Sequence, residues 1–432
     1  MRIREIGMVA LLAAAVMAAC DSRTIDDPGS FDAEVGREEA VTDGAPVEGI
    51  SQKALDEASA ELEKRIASKS IAGGAYMVVR NGEVIHFDVA GVGDIDDRTP
   101  LEADSIMRIY SMTKPIVSVA AMTLWEQGKF KLDDPVAKYI PAFENARVLV
   151  EQGDSYELVP PERPISVRDV FRHTTGYSYG RDVPVFFEFY EKEGMLYDAE
   201  HGLFPPKKSI SEAADSLARI PIAHQPGATF TYGFSTDLLG RLVEIWSGMR
   251  LDEYLRQAVF ESLEMVDTGF SVPEVKQDRF TSCHKWEDGE HIVADKAETS
   301  LFLDGFEFLS GGGGLVSTMQ DYANFCQMLV SGGEFKGTRV LDDATLELMF
   351  TDQLSGVAGE FRFGLGFEVN DAVLGAGDAQ RSVSVYRWGG YANTAFEVVP
   401  EANLFQIFMR QSIPSTHDVA RALFSIVYSG TD

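Results

Sequence analysis

Apolar residues recur along this chain with helical and strand-like periods, and the two periods divide it into elements. Ala54, Ala58, Leu62 and Ile66 lie four apart, which predicts an amphipathic helix over 51–69. Gly74 to Arg80 is apolar, Asn81-Gly82 follows, and Glu83 to Ala90 resumes the pattern. An Asn-Gly link between two such runs predicts a hairpin. Asp94 to Arg98 reads as a further turn, and Ser111 opens a predicted helix that carries the apolar run Ile116 to Leu124 and ends near Gly128.

Residues 130–300 read as mostly helical with long polar connections, the candidates being Val167 to Arg172, Ser211 to Arg219, Asp237 to Ser247 and Leu251 to Val259. A helix is expected from Asp321 to Val330. Strands are expected at Phe363 to Val369, Ser382 to Trp388, Ala395 to Val399 and Leu404 to Arg410. Strands at both ends around a helical middle predict an α/β (α+β) fold: an antiparallel sheet completed by distant segments, flanked by helices, with an inserted helical lobe.

The first fifty residues differ from the rest. Arg2 and Arg4 precede an apolar run from Ile6 to Ala19, broken only by Gly7 and too short to span a bilayer comfortably, which suits a signal-peptide core over 1–20. Its end, Val16-Met17-Ala18-Ala19-Cys20, resembles a bacterial lipobox, so Cys20 is expected to be lipidated. Residues 21–50 are polar and acidic and read as a flexible tether, leaving 51–432 as the body. The expected location is the bacterial cell envelope, periplasmic or membrane-anchored through that lipid.

A chain of 432 residues, 45% hydrophobic, can bury a large core. Net charge is -30 with no basic stripe, which argues against a nucleic-acid partner. Cys283 and Cys326 are expected to be buried free thiols. There is no internal repeat and no Cys/His cluster with metal-ligand spacing, so neither a metal nor another cofactor is expected. Nothing in the pattern specifies an oligomeric state.

The chemistry concentrates at Ser111-Met112-Thr113-Lys114. On a helix, positions i and i+3 share a face. An amine held there in a dry cleft can help remove the serine proton, making a nucleophile without a catalytic histidine. The same spacing occurs at Ser282-Cys283-His284-Lys285, which runs into Trp286-Glu287-Asp288-Gly289-Glu290 and reads as a polar surface turn.

Three further stretches support Ser111: Arg172-His173-Thr174-Thr175-Gly176, then Pro226-Gly227 with Phe230-Thr231-Tyr232-Gly233-Phe234-Ser235, then Trp388-Gly389-Gly390. In this order they resemble the serine β-lactamase and penicillin-binding superfamily. The resemblance spans roughly 55–430 and is nearest to the class C β-lactamase-like branch and its family VIII esterases. It implies Ser111 as nucleophile, Lys114 and Tyr232 as proton-handling partners, and an oxyanion hole from the backbone N–H groups of Ser111 and Tyr391. A phenolate beside an ammonium is stabilised, so a tyrosine base makes chemical sense. His173 is read as a structural turn residue. Ser310-Gly311-Gly312-Gly313-Gly314 is read as a turn packing under the site and not a phosphate loop, since it lacks the Gly-Lys-Ser/Thr ending.

The departures bear on substrate. Phe234 stands where β-lactamases carry an amide-binding asparagine, and Trp388 where they carry lysine; Arg387 next door points to the other strand face. Trp388, Gly389, Gly390 and Phe234 are therefore expected to form an apolar binding edge, with Gly390 open to close approach by a ligand. Phe186, Phe187, Phe189 and Tyr190 are either pocket walls or core. The leading expectation is an esterase acting on small-molecule esters. The alternatives are a D-alanyl carboxypeptidase or class C-like β-lactamase, and, in another class, a non-catalytic penicillin-binding-like module.

Overall fold

At the centre lies an antiparallel sheet of seven strands drawn from both ends of the chain, seen in a computed structural model. The strands are β1 (Glu38–Glu39), β2 (Gly73–Arg80), β3 (Glu83–Gly91), β4 (Glu368–Leu374), β5 (Arg381–Gly389), β6 (Ala395–Val399) and β7 (Leu404–Met409). Their order across the sheet is β1-β3-β2-β7-β6-β5-β4. The structure describes residues 38–39, 49–153, 155–180, 184–196, 208–304, 307–377 and 380–431. The expected signal segment and Cys20 lie outside them. Of the expected tether, Glu38–Glu39 pairs with β3 and Ile50 is buried against the body, bridging to Thr431.

The β2–β3 hairpin forms where Asn81-Gly82 places it. Both residues have positive φ, 52° and 80°, as a type I′ turn demands. Strands β2 and β7 are buried along almost their whole length because helices cover both faces of the sheet. On one face, α1 (Gln52–Ala67) and α5 (Asp418–Ser429) pack over Tyr76, Val78, Leu404 and Phe408. On the other, Ala75, Met77, Phe405 and Ile407 join a larger core with α2 (Thr113–Glu126), α3 (Ser235–Ser247) and α4 (Met319–Val330).

Helix α2 is buried at every position from Thr113 to Leu124, and Pro115 falls in its first turn, where no helical hydrogen bond is lost. Ser111 lies just before it, in a 3₁₀ turn (Tyr110–Met112) and not in the α-helix. Three bonds fasten this turn: Ile109 N–H to the Leu315 carbonyl at 3.1 Å, Leu315 N–H to Thr113 Oγ1 at 3.1 Å, and Tyr322 OH to the Met112 carbonyl at 3.0 Å.

Two expectations need correction. The middle of the chain holds two β-hairpins among its helices, Val148–Gln152 with Ser155–Val159 and Cys283–Glu287 with Glu290–Asp295. The second turns on Asp288-Gly289, with φ of 51° and 88°, again the signature of a two-residue hairpin turn. The strand expected at Phe363 to Val369 begins only at Glu368. Before it, Gly366 has φ 100° and lies against Ser118 of α2, so the chain turns there and Phe363 bridges back to Glu368 instead of extending the strand. Cys283 and Cys326 are free and buried, as expected.

Candidate active site

The start of α2 meets the turn before α3. Ser111 Oγ is 2.6 Å from Tyr232 OH and 3.2 Å from Lys114 Nζ. Lys114 is almost wholly buried and makes two more bonds, to the Gly312 carbonyl at 2.5 Å and to Tyr179 OH at 3.0 Å. An ammonium has three N–H donors, and here three oxygens receive them. Its nitrogen also lies 4.6 Å from the centre of the Tyr232 ring, a favourable cation–π distance.

The turn Arg172–Gly176 sets Tyr232. His173 has φ 57°, and its carbonyl accepts the Thr231 N–H at 2.7 Å. Its imidazole is buried among Phe230, Tyr232 and Phe363, with Nε2 at 3.4 Å from Thr236 Oγ1. Burial and the Lys114 charge hold it well below the usual histidine range, so it is neutral. Gly233 packs so closely on the Tyr177–Ser178 backbone that a side chain there would collide, and this brings Tyr179 edge-on to Tyr232 at 5.6 Å.

Strand β5 supplies the far wall. Its pairing with β4 stops at Arg387–Glu368, so Trp388 and Gly389 face a cavity of about 470 Å³ that Ser111, Phe230, Tyr232, Gly390 and Tyr391 also line. Phe361 and Phe363 pack, tilted, against Phe230, and Trp388 lies 5.2 Å from Phe363 and 5.5 Å from Tyr232. Arg387 lines the cavity too, but its charge is taken by Glu368 at 2.7 Å and Glu397 at 3.1 Å.

The structure thus brings together Ser111, Lys114, Tyr232, Trp388, Gly389, Gly390 and Tyr391. It does not bring Phe234 to the cavity. That side chain is fully buried behind the site, 5.0 Å from Tyr179 and 5.9 Å from Tyr190, so it shapes the core under Lys114 and is no substrate contact. Gly390 also has another reason: a side chain there would strike the Ile109 carbonyl and Thr394 Oγ1, so it serves close packing of β5 against the Ser111 turn. Phe186 and Tyr190 are core residues, and Phe187 is exposed. The aromatic wall comes instead from Phe230 beside Tyr232 and Trp388, with Phe361 and Phe363 packed behind Phe230, a convergence that no local spacing announces. Tyr179 was equally hidden, since Tyr177 two residues earlier has the same neighbourhood in sequence but lies wholly in the core.

The second Ser-x-x-Lys is neither a turn nor exposed at its serine. It enters a strand, Cys283–Glu287, with Ser282 fully buried and bonded to Asp94, while Lys285 reaches Glu287 at 3.3 Å.

Comparison with known proteins agrees with this geometry. The sequence profile of the beta-lactamase family matches residues 58–427. Protein Rv1367c of Mycobacterium tuberculosis is 29% identical over 375 residues, covering 83% of this chain and 90% of the relative. Esterase EstB of Burkholderia gladioli is 26% identical over 355 residues, covering 77% and 83%. Among solved structures, EstCE1, described as a hydrolase with promiscuous acyltransferase activity, superposes with a TM-score of 0.72 at 22% identity, covering 87% of this chain and 99% of its own.

Proposed function

We propose that the chain, which belongs to the beta-lactamase family, is a serine hydrolase that cleaves carboxylic esters through an acyl-enzyme on Ser111. The observation that carries this reading is the Ser111–Lys114–Tyr232 contact set opening into an aromatic cavity. With all three Lys114 donors committed to oxygens, the group left to take the Ser111 proton is Tyr232, 2.6 Å away, which does so as its phenolate after giving up its own proton to solvent. Ser111 Oγ then attacks the ester carbonyl, and the backbone N–H groups of Ser111 and Tyr391 face the developing oxyanion. Tyr232 returns its proton to the departing alkoxide. Water, activated by the same tyrosine, then releases the acid.

The substrate reading rests on the cavity wall. Phe230 and Trp388 flank Ser111, and no lysine stands on β5 to bind a carboxylate, which favours neutral apolar acyl groups over β-lactams and peptidoglycan stems. A second reading, acyl transfer to an alcohol in place of water, draws on the same roomy apolar cavity and on the acyltransferase activity named for EstCE1. Export and a lipid anchor at Cys20 remain part of the proposal on sequence grounds alone.

Hydrolysis of a p-nitrophenyl ester chain-length series beside nitrocefin, for the wild type and Ser111→Ala, tests it. Ester turnover lost on substitution, with little nitrocefin hydrolysis, supports an esterase. Nitrocefin preferred over every ester overturns the substrate reading, and no turnover of either favours a binding module. Added short alcohols that raise p-nitrophenol release and yield a new ester support transfer.

A further inference from the structure

One buried charge behind the site has no place in the scheme above. Asp237, in the first turn of α3, is 2% exposed. Its Oδ1 accepts the Ser310 hydroxyl at 2.5 Å and the Gly312 N–H at 3.1 Å, while Oδ2 is buried with no hydrogen bond among the described residues. Gly312 is the residue whose carbonyl receives Lys114 Nζ. The Ser310–Gly314 turn is thus held between a carboxylate and an amine. The fit needs glycine twice: a side chain at 311 would meet the Thr236 carbonyl at 2.5 Å, and one at 312 would meet Asp237 Oδ2 at 2.6 Å.

A purely structural reading makes Asp237 a tie between α3 and the turn, with its charge eased by the helix N-terminus. That reading leaves two things unexplained. A neutral asparagine or serine would tie the turn as well without burying a charge, which is costly unless it is answered. And the answering charge is Lys114, itself buried with three neutral oxygen partners and, among the described residues, no carboxylate in contact.

We propose that Asp237 is a positioning residue that keeps Lys114 an ammonium through the reaction, by fixing the Gly312 carbonyl on it and by supplying its buried countercharge. This rests on the Ser111 acyl-enzyme reading. Its consequence is a division of labour: Lys114 remains a fixed cation that stabilises negative charge on Tyr232 and Ser111, and Tyr232 alone carries the moving proton between Ser111, the departing alkoxide and the attacking water. Burial pushes the Asp237 carboxyl up, and the Lys114 charge with the Ser310 and Gly312 hydrogen bonds pulls it back. The other titratable groups facing the pair are Tyr179 and Tyr232, which touch Lys114, and His173, which burial keeps neutral.

The test is the pH profile of kcat on a p-nitrophenyl ester for the full-length wild type, Asp237→Asn and Ser310→Ala, beside their thermal melting. Asparagine keeps an acceptor at Oδ1 and removes only the charge. The expected result is a kcat roughly 10- to 100-fold lower with KM within about 3-fold. The alkaline limb should move to lower pH by roughly one unit, because an ammonium without its countercharge gives up its proton sooner. Ser310→Ala should leave that limb in place. Superimposable limbs for D237N and wild type, or an equal shift in S310A, overturn the proposal. If D237N does not fold, selective ¹³C labelling of aspartate side chains in wild type and Lys114→Met decides instead. Asp237 ionised in the first and protonated in the second at neutral pH upholds it, and an unchanged state refutes it. A wild type without Ser111-dependent ester turnover would fail the underlying reading first, while the carboxyl signal would still report on the pair.

Discussion

The two Ser-x-x-Lys stretches are a natural control for one another. At Ser111–Lys114 the backbone enters a 3₁₀ turn and then α2, and the hydroxyl and amine meet at 3.2 Å. At Ser282–Lys285 it enters a strand, where successive side chains take opposite faces. Ser282 turns inward to Asp94 and the Ala297 N–H, and Lys285 turns outward to Glu287. Identical spacing gives a site in one place and a packing contact in the other. The lesson is that the pattern carries chemistry only through the local backbone period, and that period is set by neighbours: an apolar run and Pro115 after the first copy, an Asp-Gly turn after the second.

The widest separation is expected between the two serines. Ser111→Ala should lower kcat/KM on a p-nitrophenyl ester by about 10⁴-fold or more while leaving melting nearly unchanged. Ser282→Ala should keep activity within about 2-fold yet cost about 1–3 kcal/mol in urea unfolding, since it leaves a buried Asp94 short of a donor. Equal losses of activity in both would erase the distinction. Next come the lysines: Lys114→Ala should cost about 10³-fold in kcat, and Lys285→Ala, at a surface ion pair, should change neither activity nor stability measurably.

The two tyrosines on Lys114 and Ser111 sharpen the first region further. Tyr232→Phe removes the proposed proton carrier and should cost about 10²- to 10³-fold in kcat, whereas Tyr179→Phe removes one of three acceptors on Lys114 and should cost only about 3- to 10-fold. Steady-state kinetics on one ester ranks them, and the reverse ranking would reassign the base.

The smallest effect concerns acid stability around the second copy. Burial lowers His284 to about 4, and His417, beside Gly389, is likewise lowered to about 4. Both imidazoles are neutral in the fold and take up protons first in the unfolded chain, at about 6.5. Stability is therefore whole above pH 6.5 and declines as pH falls toward 4. His284→Gln should flatten that decline by about 1 kcal/mol or more in urea titrations between pH 7 and 4.5; an unchanged slope would place the proton uptake elsewhere.

What the chain discloses in advance follows the range of the interaction. The β2–β3 hairpin, the first helix and the meeting of Ser111 with Lys114 were legible because Asn81-Gly82, the four-residue spacing and the Ser-x-x-Lys run are local signals. Helix α5 carries the same kind of local signal, with Val419, Leu423 and Val427 four apart and buried. Asp237, Tyr179 and Phe363 were not legible as site residues. Each reaches the site through a contact with a segment roughly 65 to 190 residues away in sequence, and no period within one element encodes such a meeting. Phe234 shows the opposite failure: its place two residues after Tyr232 suggests a binding-edge residue, but its ring packs in the core against Tyr190 and Tyr179.

The most direct test of the central claim is rapid-quench mass spectrometry of the protein mixed with a p-nitrophenyl ester, followed by peptide mapping. An acyl group on the peptide carrying Ser111, appearing within the first turnover and absent in S111A, is the predicted result. Active enzyme that stays unacylated there, or carries the acyl group at another residue, would contradict it.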